Sequence, residues 1–498
     1  VVVVVEKKEM GMDTTFAPSR YQQAIFDFIK TGTGNAVVEA VAGSGKTTTL
    51  IQAMRLIRAE QPEKRVLFCA FNRHIAEELA TKAPAGASVS TIHSLGFGAV
   101  KRGLGRVEVN ANKLRDIVVR VMGDEFDARE ARTAAARLAS LAKMTLTDPA
   151  DAAAVEALME RYDIDGNGDT AWIVETIPAI LDLCVEGAKD GVVDFDDMVW
   201  LPSRLDLAPE KYGWVLVDEA QDLNAAQRSL VLKAVAAGGR VIAVGDSRQA
   251  IYGFAGADTR SIQTITEVLA AQTLPLSICY RCPASHVAIA KRIVPQIEAR
   301  PDAPKGEIVE MGLAEAARKL EEGDLVICRV NAPLVEIALS LIRRGQRACL
   351  RGRDLSGNLL SLVRRAGRGS GDNIAKFLAK LAAYRTLEAD KLRKAEKEAQ
   401  ALAIEDKCDT LIALADGLQT VKGLEDRISS IFSDGGGAGV ICSSVHRAKG
   451  LEARRVLIVS PSLMPHPRAQ GAEQVEQEMN LKYVALTRAK ETLWLAEK

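Results

Sequence analysis

The segment Ala40-Val41-Ala42-Gly43-Ser44-Gly45-Lys46-Thr47-Thr48 places two glycines, a lysine and three hydroxyls in one short stretch. Glycines at such positions let successive backbone N–H groups converge on phosphate oxygens. A lysine there neutralises β- and γ-phosphates, and the threonine hydroxyl after it suits Mg²⁺. The apolar run AVVEAV (36–41) precedes the loop, and Leu50, Ala53, Met54 and Ile57 follow it at helical spacing. That is the strand–loop–helix frame such a loop requires. Its first position is Ala40, where the general pattern has glycine. A triphosphate site also needs carboxylates where a strand stops. Val215-Leu216-Val217-Asp218-Glu219 supplies them. Asp218 suits the metal's shell and Glu219 suits polarising an attacking water. An Asp-Glu pair after an apolar run is by itself equally a solvated strand end; beside the loop it reads as the second half of a nucleotide-hydrolysing site.

Strands must carry these groups. The runs AVVEAV (36–41), VLFCAF (66–71), SVSTI (88–92), WVLVDEAQD (214–222), VIAVGD (241–246) and TLPLSI (273–278) alternate with helical patterns, which predicts a parallel α/β sheet. A helix is expected over about Ser19–Lys30, with Ser19 as its cap. Residues 97–190 are Ala-rich and helical without strand signals. A second α/β set follows in DLVICR (324–329), ACLRG (348–352), GVICSS (439–444), RVLIVSP (455–461) and TLWLAE (492–497), and a charged helical stretch interrupts it. The expected boundaries are 15–96 with 191–275 for the first α/β domain and 97–190 for its helical insertion. The second comprises 276–370 with 434–498, and 371–433 is its short helical insertion.

The 498 residues are 48% hydrophobic, with 65 basic against 65 acidic side chains, a net charge of zero. That excludes a uniformly basic nucleic-acid coat, so any nucleic-acid site is a local groove. No apolar run approaches the ~18 residues of a membrane span. The eight cysteines sit mostly in apolar runs, as in a cytosolic protein with reduced thiols, and a cytoplasmic location is expected. The one C-x-x-C, Cys279-Tyr280-Arg281-Cys282, lacks the second pair or histidine of a zinc set. Val1–Val5 is left out of the fold reading. Asp163–Asp169 imitates the start of a calcium loop, but Val174 stands where the bidentate glutamate belongs, so a polar turn between helices is the better reading. Arg343, Arg344, Arg347, Arg351, Arg353, Arg364, Arg365 and Arg368 form either a phosphate-contacting patch or a solvated face.

An ordered series of motifs now stands out: AVAGSGKT, VDFDDMV (193–199), VDEAQD, VGDSRQAIYGFAGA, ICYRCP, SSVHRAKGLE and YVALTRAK. In type and order it resembles the superfamily 1 DNA helicases of the UvrD/Rep type, over about residues 16–496. The resemblance implies two RecA-like domains that bind ATP and Mg²⁺. It places Ala42, Gly43, Ser44, Gly45, Lys46, Thr47 and Thr48 on the phosphates and Thr47 with Asp218 on the metal. Gln22, or Gln23 beside it, reads the adenine edge, for which an amide offers both donor and acceptor. Gln249 senses the γ-phosphate, Tyr280 stacks on adenine, Arg281 reaches the γ-phosphate and Glu452 contacts the nucleotide. Arg488 is the arginine finger. ATP would then bridge the two domains, and its loss would release them.

Single-strand tracks combine aromatic platforms with backbone contacts. By the same resemblance Phe71, Asn72, Thr91, His93, Tyr252, Phe254 and His446 line that track. Buried core is the rival reading for Phe71 and Phe254. Ala255 departs from the family, where an arginine often follows the aromatic. The function implied is an ATP- and Mg²⁺-dependent single-stranded DNA translocase and 3′→5′ helicase acting on single-stranded and tailed duplex DNA. The rivals are a non-unwinding DNA-dependent ATPase and the motor subunit of a larger nuclease or defence assembly, whose partner would supply the nuclease. The short second insertion favours the first rival.

Overall fold

A computed structural model describes residues 3–4, 16–124, 129–162, 164, 169–251, 260–394, 397–432, 439–469 and 471–497. The chain divides into two compact units, Val1–Ser277 and Ile278–Lys498. Each is a parallel α/β layer structure carrying helical additions, so the fold class expected from sequence is the one observed.

In the first unit the strands are β1 (Ala36–Ala40), β2 (Val66–Ala70), β3 (Ala87–Thr91), β4 (Tyr212–Val217), β5 (Val235–Gly245) and β6 (Gln272–Leu276). They lie in the order β3-β2-β4-β5-β1-β6, all parallel, with Val3–Val4 antiparallel along β3. Helices cover both faces, so both faces are apolar. Trp214 and Leu216 of β4 pack to one side with Val38, Leu50 and Phe68; Val215 and Val217 pack to the other with Leu67, Leu95 and Leu230. Two-sided burial explains why the central strands read as largely apolar runs in the sequence. Ser19 caps the helix Arg20–Thr31 in a full capping box with Gln22.

The helices Lys113–Met122, Arg129–Thr145, Ala152–Arg161 and Thr170–Lys189 form a body with its own core, including Leu138, Ile173, Ile177 and Leu181. The short pairing of Glu108–Val109 with Val192–Val193 closes it, a strand contact within a stretch expected to have none. Two-residue strands leave no periodicity to read. A buried ionic cluster ties this body to the helix Phe195–Arg204. Lys143 Nζ donates to Asp194 (3.0 Å) and Asp197 (2.8 Å), and Lys113 Nζ donates to Asp197 (2.6 Å) and to the Cys184 carbonyl. Burial opposes charge on Lys143, but Asp197 and Asp194 outweigh it and raise its pKa. Lys143→Met leaves two buried carboxylates short of their cation, so a loss of about 3–5 kcal/mol is expected on thermal or urea unfolding. A loss below about 1 kcal/mol would show that water reaches the cluster.

The second unit has β7 (Glu307–Glu310), β8 (Leu325–Cys328), β9 (Ala348–Leu350), β10 (Val440–Ser444), β11 (Ala453–Val459) and β12 (Ala489–Ala496) in the order β7-β12-β11-β8-β10-β9, all parallel. The sequence reading missed the edge strand β7, Glu-Ile-Val-Glu, which is half exposed. The helices Ile374–Lys394, Glu398–Ala415 and Val421–Ile431 share the core of this sheet: Phe377, Leu411, Leu424 and Ile428 pack in one cluster with Val326, Leu341 and Leu457. No described helix is long and apolar enough to cross a membrane.

Candidate nucleotide site and nucleic-acid track

Ligands of open α/β sheets gather at the carboxyl ends of the strands. The strand order places the ends of β4, β5 and β1 side by side, and the phosphate loop, Asp218 and Gln249 follow those strands. Gly43 (φ 67°) and Gly45 (φ 78°) adopt the left-handed conformation that turns the loop into the helix Lys46–Glu60. Ser44 is buried, and its Oγ has no hydrogen-bond partner. An orphaned hydroxyl in a cradle of backbone N–H groups suits a phosphate oxygen.

The acidic half meets the loop directly. Thr47 Oγ1 donates to Asp218 Oδ2 at 2.9 Å, so the two oxygens expected around Mg²⁺ already adjoin. Lys46 Nζ lies 3.3 Å from Glu219 Oε2. Burial opposes the lysine's charge, but Glu219, Asp246 and Asp218 outweigh it and raise its pKa. Asp218 is pushed upward by burial and then by Glu219's charge. Asp246 is pushed up to about 6, first by burial. Three crowded carboxylates around one lysine are short of positive charge, and a divalent ion would supply it. The donor set therefore fits Mg²⁺, held by Thr47 and Asp218. When bound, that ion neutralises phosphate charge.

Glu219 sits at φ 51°, a conformation rare for residues other than glycine. Its N–H donates to Asp218 Oδ1 (2.9 Å), and its Oε2 accepts from Gln221 Nε2 (2.6 Å). Gln221 Oε1 in turn accepts from the Asp246 N–H (3.0 Å), and Asp246 Oδ2 accepts from Gln249 Nε2 (2.5 Å). A Cβ at Gly245 would stand 2.6 Å from Gln221 Oε1, so glycine there admits this bridge. Glu219 and Gln249 are thus joined through Gln221 and Asp246, neither of which the sequence reading assigned a role. Gln221 is spelled within VDEAQD, two residues from Glu219, but its bond to the next strand's loop has no sequence signal. Gln22 is buried: its Oε1 accepts from Ser19 N–H (2.9 Å) and its Nε2 donates to Thr49 Oγ1 (3.0 Å). Gln23 is exposed and bonds Asp27.

In the second unit Arg281 Nε donates to Glu452 Oε2 (2.6 Å) and Nη1 to the Thr487 carbonyl (3.3 Å). Burial opposes charge on Glu452, yet Lys490 and Arg281 hold its pKa below the usual range. Arg488 follows Thr487 and is 1% exposed. Its Nε donates to the Val484 carbonyl (2.8 Å), Nη1 to Leu451 O (3.3 Å) and Nη2 to Thr487 Oγ1 (3.1 Å). Arg281, Glu452 and Arg488 are therefore brought together around Thr487, at the amino ends of β11 and β12. Tyr280 is 37% exposed beside them.

Of the residues expected on the track, those of the first unit follow strands of its sheet. Phe71 and Asn72 follow β2, and Phe71 is 38% exposed, against the core reading. Asn72 Oδ1 caps the helix Arg73–Lys82. Thr91 ends β3 and caps the helix that holds His93, whose pKa is lowered by burial. Tyr252 and Phe254 lie outside the described residues. His446 follows β10, in the short helix Val445–Ala448. In the arginine cluster, Arg343 pairs with Asp416 (2.7 Å) and Arg344 donates to the carbonyls of Ala317 and Ser340.

His446 keeps part of its surface exposed, yet its pKa is lowered to about 3, first by burial and then by the charges of Arg329 and Arg447. The ring is therefore neutral near pH 7 and carries no positive charge there. Its folded pKa lies below the unfolded value near 6.5, so its contribution to stability is complete above pH 6.5 and is lost as pH falls toward 3. His446→Gln is expected to flatten that acid-side decline. Single-strand affinity of the parent protein should not strengthen between pH 8 and 6; a strengthening abolished by His446→Gln would mean the ring gains a proton on binding.

A family model for the UvrD/REP helicase N-terminal domain matches residues 21–269, and one for the UvrD-like helicase C-terminal domain matches 372–497. The chain belongs to the UvrD/REP helicase family. Its relatives include the F-box DNA helicase protein 1 of Schizosaccharomyces pombe, 22% identical over 92% of this chain and 55% of that protein. The ATP-dependent DNA helicase PcrA of Bacillus subtilis is 27% identical over 47% of this chain and 34% of its own length. The ATP-dependent DNA helicase Rep of Escherichia coli is 29% identical over 49% and 38%. The chain thus spans about half or less of the length of these relatives.

Proposed function

We propose that this UvrD/REP-family chain is an ATP- and Mg²⁺-dependent single-stranded DNA translocase with 3′→5′ helicase activity, working in the cytoplasm on single-stranded and tailed duplex DNA. The observation that carries the reading is the first unit's linked set: Thr47 bonded to Asp218, Lys46 beside Glu219, and Glu219 joined through Gln221 and Asp246 to Gln249. In this reading that set serves phosphate binding, metal binding, water activation and γ-phosphate sensing around one loop. Exposed Phe71 at the end of β2 supports a stacking platform on the same edge of the sheet. Proteins that assemble with it in repair, replication or defence belong to the same proposal.

The test is strand displacement on duplexes tailed at 3′ or at 5′, with ATP and Mg²⁺. Unwinding of the 3′-tailed duplex alone is expected, at a rate that falls with salt as local phosphate contacts are screened. DNA-stimulated ATPase without displacement of either substrate would replace the helicase reading by the non-unwinding one. Displacement from the 5′ tail alone would reverse the polarity.

A further inference from the structure

The second unit opens on Cys279-Tyr280-Arg281-Cys282, so two thiols bracket the residues proposed to stack on adenine and to reach the γ-phosphate. They are neighbours in space as well. The Cys282 N–H donates to Cys279 Sγ at 3.4 Å, and the Cys282 S–H donates to the Thr487 carbonyl at 3.6 Å. That carbonyl also accepts from Arg281, and Thr487 Oγ1 accepts from Arg488. The thiol pair is therefore wired into the three-residue cluster of Arg281, Thr487 and Arg488. Among the described residues no group of three or more potential ligands forms a metal site, so nothing commits these sulfurs to a metal.

We propose that Cys279 and Cys282 are a redox modification site whose disulfide, formed with a hydroperoxide as oxidant, switches off ATP hydrolysis by re-aiming Tyr280 and Arg281. The Cys279 thiolate attacks the peroxide's O–O bond, giving a sulfenic acid and releasing hydroxide. The Cys282 sulfur then attacks the sulfenic sulfur, and the sulfenic oxygen leaves as water. In sum two thiols and H₂O₂ give one disulfide and two waters, with each sulfur oxidised by one electron and the peroxide reduced by two. Three features favour these thiols over the other six. The Cys282 thiol, followed by the N–H groups of Cys282 and Arg281, lowers the pKa of Cys279, and a thiolate is the attacking form. Cys282, whose S–H is donated to the Thr487 carbonyl, is the resolving partner. Cys69, Cys184, Cys328, Cys349, Cys408 and Cys442 are all pushed upward by burial. Both thiols of the pair are buried, and Tyr280 between them is exposed. Closing the bridge brings the sulfurs to ~2.05 Å and consumes the proton offered to Thr487. The intervening Tyr-Arg then moves against Glu452 and Thr487.

The inference rests on the nucleotide reading of Tyr280 and Arg281, so its test includes a readout independent of activity. The full chain is treated with hydrogen peroxide, alkylated and cut with trypsin, which cleaves after Arg281. Peptides 261–281 and 282–291 should remain joined until dithiothreitol is added. DNA-stimulated ATPase should fall by about ten- to a hundred-fold, the scale expected for reactive groups displaced by an ångström, and should return on reduction. Cys282→Ser keeps a hydroxyl for Thr487 but cannot bridge; its ATPase, relative to its own untreated rate, should not respond to peroxide, and Cys279→Ser should behave alike. The proposal is overturned if the two peptides separate without reductant while other cysteines have oxidised. Joined peptides with unchanged ATPase overturn it too. Absence of ATPase in the fully reduced protein would remove the function reading, and the switch with it, whatever the peptides show.

Discussion

Glu219→Gln should bind ATP and single-stranded DNA like the parent protein yet turn over about a thousand-fold more slowly, the scale of losing a positioned general base. The neutral amide keeps the shape of the side chain and removes the charge that polarises water. Metal binding through Thr47 and Asp218 is untouched, because Asp218 takes its Thr47 hydrogen bond on Oδ2 without help from Glu219. Lys46→Ala is the complementary variant. It should abolish DNA-stimulated hydrolysis through loss of the triphosphate itself, and it also leaves Glu219, Asp246 and Asp218 without their shared cation. Single-turnover hydrolysis and a fluorescent-nucleotide titration separate the two cases. Near-normal turnover in Glu219→Gln would move water activation to another group.

Arg488→Ala should lower kcat by about three orders of magnitude or more with modest change in ATP affinity, as expected for a cation acting on transition-state charge. The structure adds a condition. All three guanidinium nitrogens are occupied within the second unit, by Val484, Leu451 and Thr487. A finger role requires the side chain to exchange those partners for phosphate oxygens. Removing it also orphans buried carbonyls, at about 1–3 kcal/mol. Arg488→Lys separates the two roles: it keeps a charge but not the planar fork. If Arg488 is the finger, Arg488→Lys stays close to Arg488→Ala in kcat while unfolding nearer the parent temperature. Recovery of kcat in step with stability would make Arg488 a structural arginine.

The phosphate loop and the two α/β sets were legible because each depends on local sequence. Gly43, Gly45, Lys46 and Thr47 act through one turn, and strands buried on both faces spell themselves as apolar runs. Phe71 was ambiguous in sequence, since an aromatic ending an apolar run has the same spelling whether it packs or projects; its exposure resolved that. The bridge from Glu219 through Gln221 to Asp246 was not legible, because it joins loops after different strands and only the strand order brings them together. Nor was the state of Arg488: TRAK identifies the arginine but not the carbonyls it rests on. His446 gave no sign of its depressed pKa, which depends on Arg329 at the end of a strand more than a hundred residues upstream.

The strand order of the first sheet also dictates how the chain emerges from synthesis. β1, which carries the phosphate loop, pairs on one side with β5 and on the other with β6: Ala36 faces Ile242 and Gln272. No earlier strand can receive it. At roughly 5–20 residues per second, a ribosome leaves β1 without a neighbour for about 10–40 s after it is made. During that interval a largely apolar strand has both edges open, while the helices of residues 113–189, with their own core, can already pack. A nascent-chain protease assay should therefore find the insertion protected well before the nucleotide loop. The cell's holdases would meet this protein first through its most essential strand.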